Sequence, residues 1–218
     1  MAKKKEIAEN NIIAFYMDYV LQNNEYPKSV YAFAKTNNFE EAKFYEYFGS
    51  FEAVEKFIFK KFFNNTLSTL NQSDEYISFD ARNKLLSFYF TFFENLTANR
   101  SYIVYTLRNH KNNMKGLALL SDLKKSFTKY IDGLDIETLD VKQEQLEKIQ
   151  NIAIQESAWV QLLLTMKFWL DDTSASFEKT DIFIEKSVNT SFDVLDIAPL
   201  KSVIDFGKFI FKEKMHMN

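Results

Sequence analysis

The 218-residue chain has no cysteine. That excludes disulfides, thiolate zinc sites, iron–sulfur clusters and thiol catalysis, and it fits a reducing cytoplasm. Histidine is scarce as well. Only His110 and His216 occur, so a histidine metal site or a Ser-His-Asp relay would rest on His110 alone. Four glycines, at 49, 116, 133 and 207, and two prolines, at 27 and 199, leave no phosphate-cradling glycine loop and too few turns for a β architecture. No secretory apolar segment follows the N-terminal lysines Lys3, Lys4 and Lys5. The longest apolar-rich runs, Leu85 to Phe93 and Ala158 to Met166, are too short to cross a bilayer. The expectation is a soluble cytoplasmic protein with no integral membrane segment. No nucleophile lies beside an obvious base, and the Asp171, Asp172 pair has a capping role ready to hand. The sequence therefore predicts no catalytic residue, no metal site, no cofactor and no enzyme activity.

What the chain does have is aromatic mass and helical periodicity. Its 23 Phe, 11 Tyr and 2 Trp supply a thick core, a lipophilic pocket or both. From Ile7 to Leu21, the apolar residues Ile12, Ile13, Tyr16 and Val20 recur at helical spacing. Pro27 and Ser29 then disfavour helix and cap the next one, which carries Val30, Phe33 and Ala34. Asn37 and Asn38 make a tight turn, with Asn38 suited to left-handed geometry. A short helix follows from about Glu40 to Tyr47 and stops at Gly49. Ser50 caps a long fourth helix that runs to about Leu70. Beyond it, 71–79 reads as a polar loop, and helices are predicted over 80–97, 100–109, 115–130, 141–170 and 177–195. A last helix, over 199–212, has its apolar residues interleaved with lysines. Helix, turn, short helix and long connecting helix is the organisation of a helix-turn-helix domain joined to a second domain.

Tyr45, Tyr47, Phe48, Ser50, Glu52 and Val54 together resemble the Tyr-x-(His/Tyr)-Phe-x-(Ser/Asn)-Lys-Glu-x-Leu ending of the DNA-binding region in the TetR family of one-component bacterial repressors. Upstream, Ser29 and Val30 stand where that family has Thr or Ser before an aliphatic residue. Phe33 and Ala34 stand where it has Ile-Ala, and Phe39 where it has Val. The likeness covers about residues 12 to 58. It implies an all-α protein with a three-helix helix-turn-helix domain at 1–55 and a larger helical domain at 56–218 for ligand binding and dimerisation. The last two long helices of that larger domain would pair across a two-fold axis.

The departures from the pattern bear on DNA. Glu25 and Asn38 replace family glycines, Glu40 replaces the serine that caps the recognition helix, and Phe51 replaces a lysine near phosphate. From residue 1 to 55, six lysines face nine carboxylates, a net charge of minus three. Because affinity for DNA comes largely from phosphate neutralisation, that balance opposes binding. Ser29, Lys43, Tyr45 and Tyr47 are the candidate DNA contacts: the hydroxyls would reach phosphates, and Lys43 would lie on the recognition helix. The structural alternative is a solvated lysine and tyrosines at the edge of the core.

In the second domain, the resemblance implies an effector site among the middle helices, for which Tyr89, Phe93, Tyr105, His110 and Trp159 are the candidates. Packing within the core is the alternative for each. The stretch from Met166 to Ile184, with Asp172, Ser174 and Thr180, is similar to the corner before the final helices of the lipid-binding ubiquinone-biosynthesis accessory protein, itself a TetR-like fold. Two functions follow as expectations. One is a homodimeric regulator whose binding to double-stranded DNA is gated by a hydrophobic small molecule. The other is a TetR-fold protein without operator binding that serves as a lipid- or isoprenoid-binding accessory to an enzyme.

Overall fold

A computed structural model describes residues 7–109, 113–136 and 144–196, and every regular element among them is helical. The chain runs through α1 (Glu9–Asn23), α2 (Val30–Thr36), α3 (Glu41–Tyr47) and α4 (Phe51–Leu70). A five-residue α5 (Asp74–Ser78) follows, then α6 (Ala81–Ala98) and α7 (Arg100–Asn109). The remainder comprises α8 (Asn113–Leu119), α9 (Ser121–Asp132), α10 (Glu144–Asp171) and α11 (Glu178–Asp196). None of the described helices is long and apolar enough to cross a membrane. The helix anticipated over 199–212 lies outside the described residues.

Local chemistry sets the first four helices. Ser29 Oγ accepts the Ala32 N–H at 3.2 Å and so caps α2, and Ser50 Oγ accepts the Ala53 N–H at 3.2 Å at the head of α4. Asn38 adopts φ 58°, the left-handed geometry that the turn between α2 and α3 requires. Two expectations fail. Within the predicted loop 71–79, Ser73 Oγ accepts the Tyr76 N–H at 3.3 Å and starts α5, whose Tyr76 side chain is buried. The predicted helix 115–130 is two helices. The chain tightens where the Leu120 N–H bonds the Leu117 carbonyl at 3.1 Å, and the break lets the consecutive Leu119 and Leu120 both be buried.

The described residues form two compact units. The first gathers those up to Thr66 with those from Phe92 to Ser126. Its aromatic core centres on Phe33, whose ring lies 6.3 Å from Tyr16, 5.8 Å from Phe39, 6.3 Å from Phe44 and 5.4 Å from Phe51. Each such edge-on pair contributes about 0.5–1.5 kcal/mol beyond the area it buries.

The second unit gathers Leu67 to Thr91 with the described residues from Phe127 on. Phe88 packs 5.4 Å from Phe127 and 4.9 Å from Tyr130, and the Tyr130 hydroxyl donates to the Lys84 carbonyl at 3.1 Å. α10 and α11 form a hairpin around a buried corner carboxylate. Asp172 Oδ1 accepts the N–H and hydroxyl of Ser174 at 2.8 and 2.7 Å; Oδ2 accepts the N–H and hydroxyl of Thr180 at 3.0 and 2.7 Å. Burial alone would raise this carboxyl, but the hydrogen bonds from Ser174 and Thr180 outweigh it and hold the group down to about 2. Between these partners the chain makes a tight turn in which Ser176 and Phe177 take φ 52° and 59°.

Candidate functional site

α2 and α3 present the residues anticipated to touch DNA. Ser29 is exposed at the cap of α2, with its oxygen engaged by the Ala32 N–H. Tyr45 is 54% exposed on α3, its ring edge-on to Phe44 at 5.5 Å. Tyr47, on the last turn of α3, donates its hydroxyl to the Ile7 carbonyl at 3.5 Å and borders a cleft of about 470 Å³ with Glu9, Ser50, Glu52, Lys56 and Asp122. Lys43 is exposed, and its ammonium is bound by Glu46 one turn on at 2.8 Å. Lys56 is likewise bound by Glu52 at 2.8 Å. Two cations close to the expected DNA-facing surface thus already have carboxylate partners within their own helices, which lowers the positive potential offered to phosphate.

One departure from the family pattern finds its cause in the packing of the first unit. Phe51, where a phosphate-facing lysine is usual, stacks 5.4 Å from Tyr16 and sits 5.2 Å from Phe44, so the position serves the core. Glu40 precedes α3 without capping it through its side chain. A further residue escaped the sequence reading. Glu55, counted there among the acids of a DNA-facing domain, is 4% exposed and accepts the Tyr16 hydroxyl at 3.1 Å. The signal lay in the spacing: Val54, Ile58, Phe59 and Phe62 form the buried stripe of α4, and Glu55 falls inside it.

The residues singled out for an effector separate. Tyr89 and Trp159 are buried in the second unit and flank one ring, each 6.4 Å from Phe127; burial pushes the Tyr89 hydroxyl well up. Phe93 and Tyr105 belong to the first unit, Phe93 against Phe92 at 5.8 Å and Tyr105 edge-on to Tyr26 at 5.6 Å. His110 lies outside the described residues.

An open apolar surface of the second unit lies on the α10–α11 hairpin. A groove of about 670 Å³ runs between Val160, Leu164 and Phe168 of α10 and Ile182 and Phe183 of α11. Val160, Leu164 and Ile182 are each about half exposed, at 51, 55 and 50%. Phe168 and Phe183 stack at 4.6 Å, and Gln161 bonds Ser187 and Ser191 across the hairpin, so the two helices present one continuous face. Exposed apolar faces of this kind mark interaction surfaces or ligand grooves.

A search of curated proteins returns no match. Residues 84–210 match a family model described as "Tetracyclin repressor-like, C-terminal domain". That match takes in more than half of the chain, and with it the chain belongs to the tetracycline repressor-like (TetR) family.

Proposed function

We propose that the protein is a homodimeric transcriptional regulator that reads double-stranded DNA with α2 and α3. A hydrophobic small molecule held among its C-terminal helices would change the spacing of the two recognition helices, and with it operator affinity. Membership of the family carries this reading, and the capped α2, left-handed Asn38 turn and exposed α3 support it. In the proposal, residues 1–55 form the DNA-reading part, with Ser29, Lys43, Tyr45 and Tyr47 as contacts. Of the candidate effector residues, Tyr89 and Trp159 of the second unit, which flank Phe127, are the ones proposed to face the ligand. The groove on α10 and α11 supports dimerisation: a second copy would cover it and complete a four-helix bundle.

A second reading is a member of the family that has lost operator binding and serves as a lipid- or isoprenoid-binding accessory protein. The paired lysines favour it: Lys43 bound by Glu46 and Lys56 by Glu52 offer less positive charge toward a duplex. A salt-dependent titration with random duplex and with the region upstream of the gene separates the two. The regulator reading expects upstream DNA to bind more tightly than random duplex, with affinity falling as salt rises. Absence of binding even at low salt would leave the accessory reading.

A further inference from the structure

Glu55 lies where α4 meets α1 and α7, and it is buried among hydroxyls. Tyr16 of α1 donates to it at 3.1 Å and has its own ring 6.5 Å from that of Tyr102 on α7. The ionisable groups that act on this cluster come from each element around it: Tyr16 from α1, Tyr26 from the connection after α1, Tyr102 from α7, and Glu52 from α4 itself. The Glu52 carboxylate is tied to Lys56.

A neutral carboxyl suits this setting, since it carries no charge into a buried site beside aromatic rings. An ionised one must be kept there with little water, beside the Glu52 carboxylate and the tyrosine oxygens. The geometry points to a proton-responsive seam: with Glu55 protonated, α1, α4 and α7 pack closely, and loss of that proton loosens them. This inference stands whether or not α3 reads DNA. Burial first, and Glu52 second, push the carboxyl up against the opposing Tyr16 hydrogen bond, to about 7. The folded state therefore holds its proton more tightly than the unfolded chain. The stabilisation this gives is complete below the ordinary carboxylate value of 4.5 and has gone once pH rises beyond about 7.

Carboxyl-carbon NMR of the full chain reads the group directly, and amide exchange, corrected for its intrinsic pH dependence, reads the seam. The expected Glu55 midpoint is near 7. Protection of α1 and α7 amides should fall about tenfold between about pH 6 and about pH 8.5. In Glu55→Gln, which stays neutral, corrected protection should be flat over that range. Tyr16→Phe removes a donor that favours the charged form, so it should move the midpoint to higher pH. A Glu55 midpoint in the ordinary carboxylate range overturns the inference, as does a pH response of Glu55→Gln equal to the wild type. Should Glu55→Gln fail to fold, the midpoints of the wild type and Tyr16→Phe decide: a midpoint that Tyr16→Phe leaves unmoved also overturns it.

Discussion

Asp172 and Glu55 are both buried carboxylates, and they mark opposite ends of what environment does to one chemical group. Asp172 is surrounded by donors that prefer its charged form; Glu55 is buried beside aromatic rings and accepts the Tyr16 hydroxyl. The role of Asp172 was legible, because an aspartate followed by serine and threonine at a break in helical periodicity reads as a cap. For Glu55 the spacing places it on the buried stripe of α4, but its partner Tyr16 lies 39 residues away on α1, which no local pattern reveals. Removing the Asp172 charge leaves buried donors on Ser174 and Thr180 without an ionic acceptor. Asp172→Asn is therefore expected to cost about 3 kcal/mol in urea unfolding at neutral pH. The folded carboxyl stands at about 2, below its ordinary 3.8, so its contribution is complete above the ordinary value and is lost as pH falls toward 2. The gap between wild type and Asp172→Asn should narrow over that acid range, and unfolding curves at several pH values would show it.

Among the helices, boundaries came out best where a side chain bonds its own backbone. Ser29, Ser50 and Asn38 act within a few residues of themselves, so α2, α4 and the turn between α2 and α3 follow from sequence. The short α5 and the break between α8 and α9 depend on burying Tyr76, Leu119 and Leu120, and burial is decided by distant partners that spacing alone does not reveal. The charge of α3 is also a property of the element. Glu46 both adds a negative charge and binds the one lysine of that helix, so Glu46→Lys changes the local charge by two and removes the Glu46 partner of Lys43. At about 50 mM salt, that variant is expected to bind random duplex several-fold more tightly, with a salt slope steeper by about one counterion. A fluorescence-anisotropy titration checks it, and unchanged affinity would mean that α3 does not approach DNA.

For the molecule as a whole, helical class was open to sequence reasoning because glycine and proline are scarce along the chain, and the family through the Tyr45 to Val54 pattern near its N-terminal end. The apolar groove of α10 and α11 was foreseen only as a pairing of long helices. Which side chains stay open, Val160, Leu164 and Ile182, depends on how the hairpin spends its other faces on the core. A lysine at 164 would place a charge in the middle of that groove. Leu164→Lys should turn a dimer into a monomer in sedimentation velocity, with stability of the isolated chain changed by less than about 1 kcal/mol because the residue is exposed there. Loss of the dimer without loss of helix content would locate the interface; an intact dimer would place it elsewhere.

Both tryptophans of the chain, Trp159 and Trp169, are buried on α10 in the second unit. Indole emission therefore watches that unit alone, while the first unit is visible only through tyrosines such as Tyr16 and Tyr102. Excited where indole alone absorbs, the unlabelled protein reports the melting of its second unit, and whether an added small molecule quenches that unit's tryptophans.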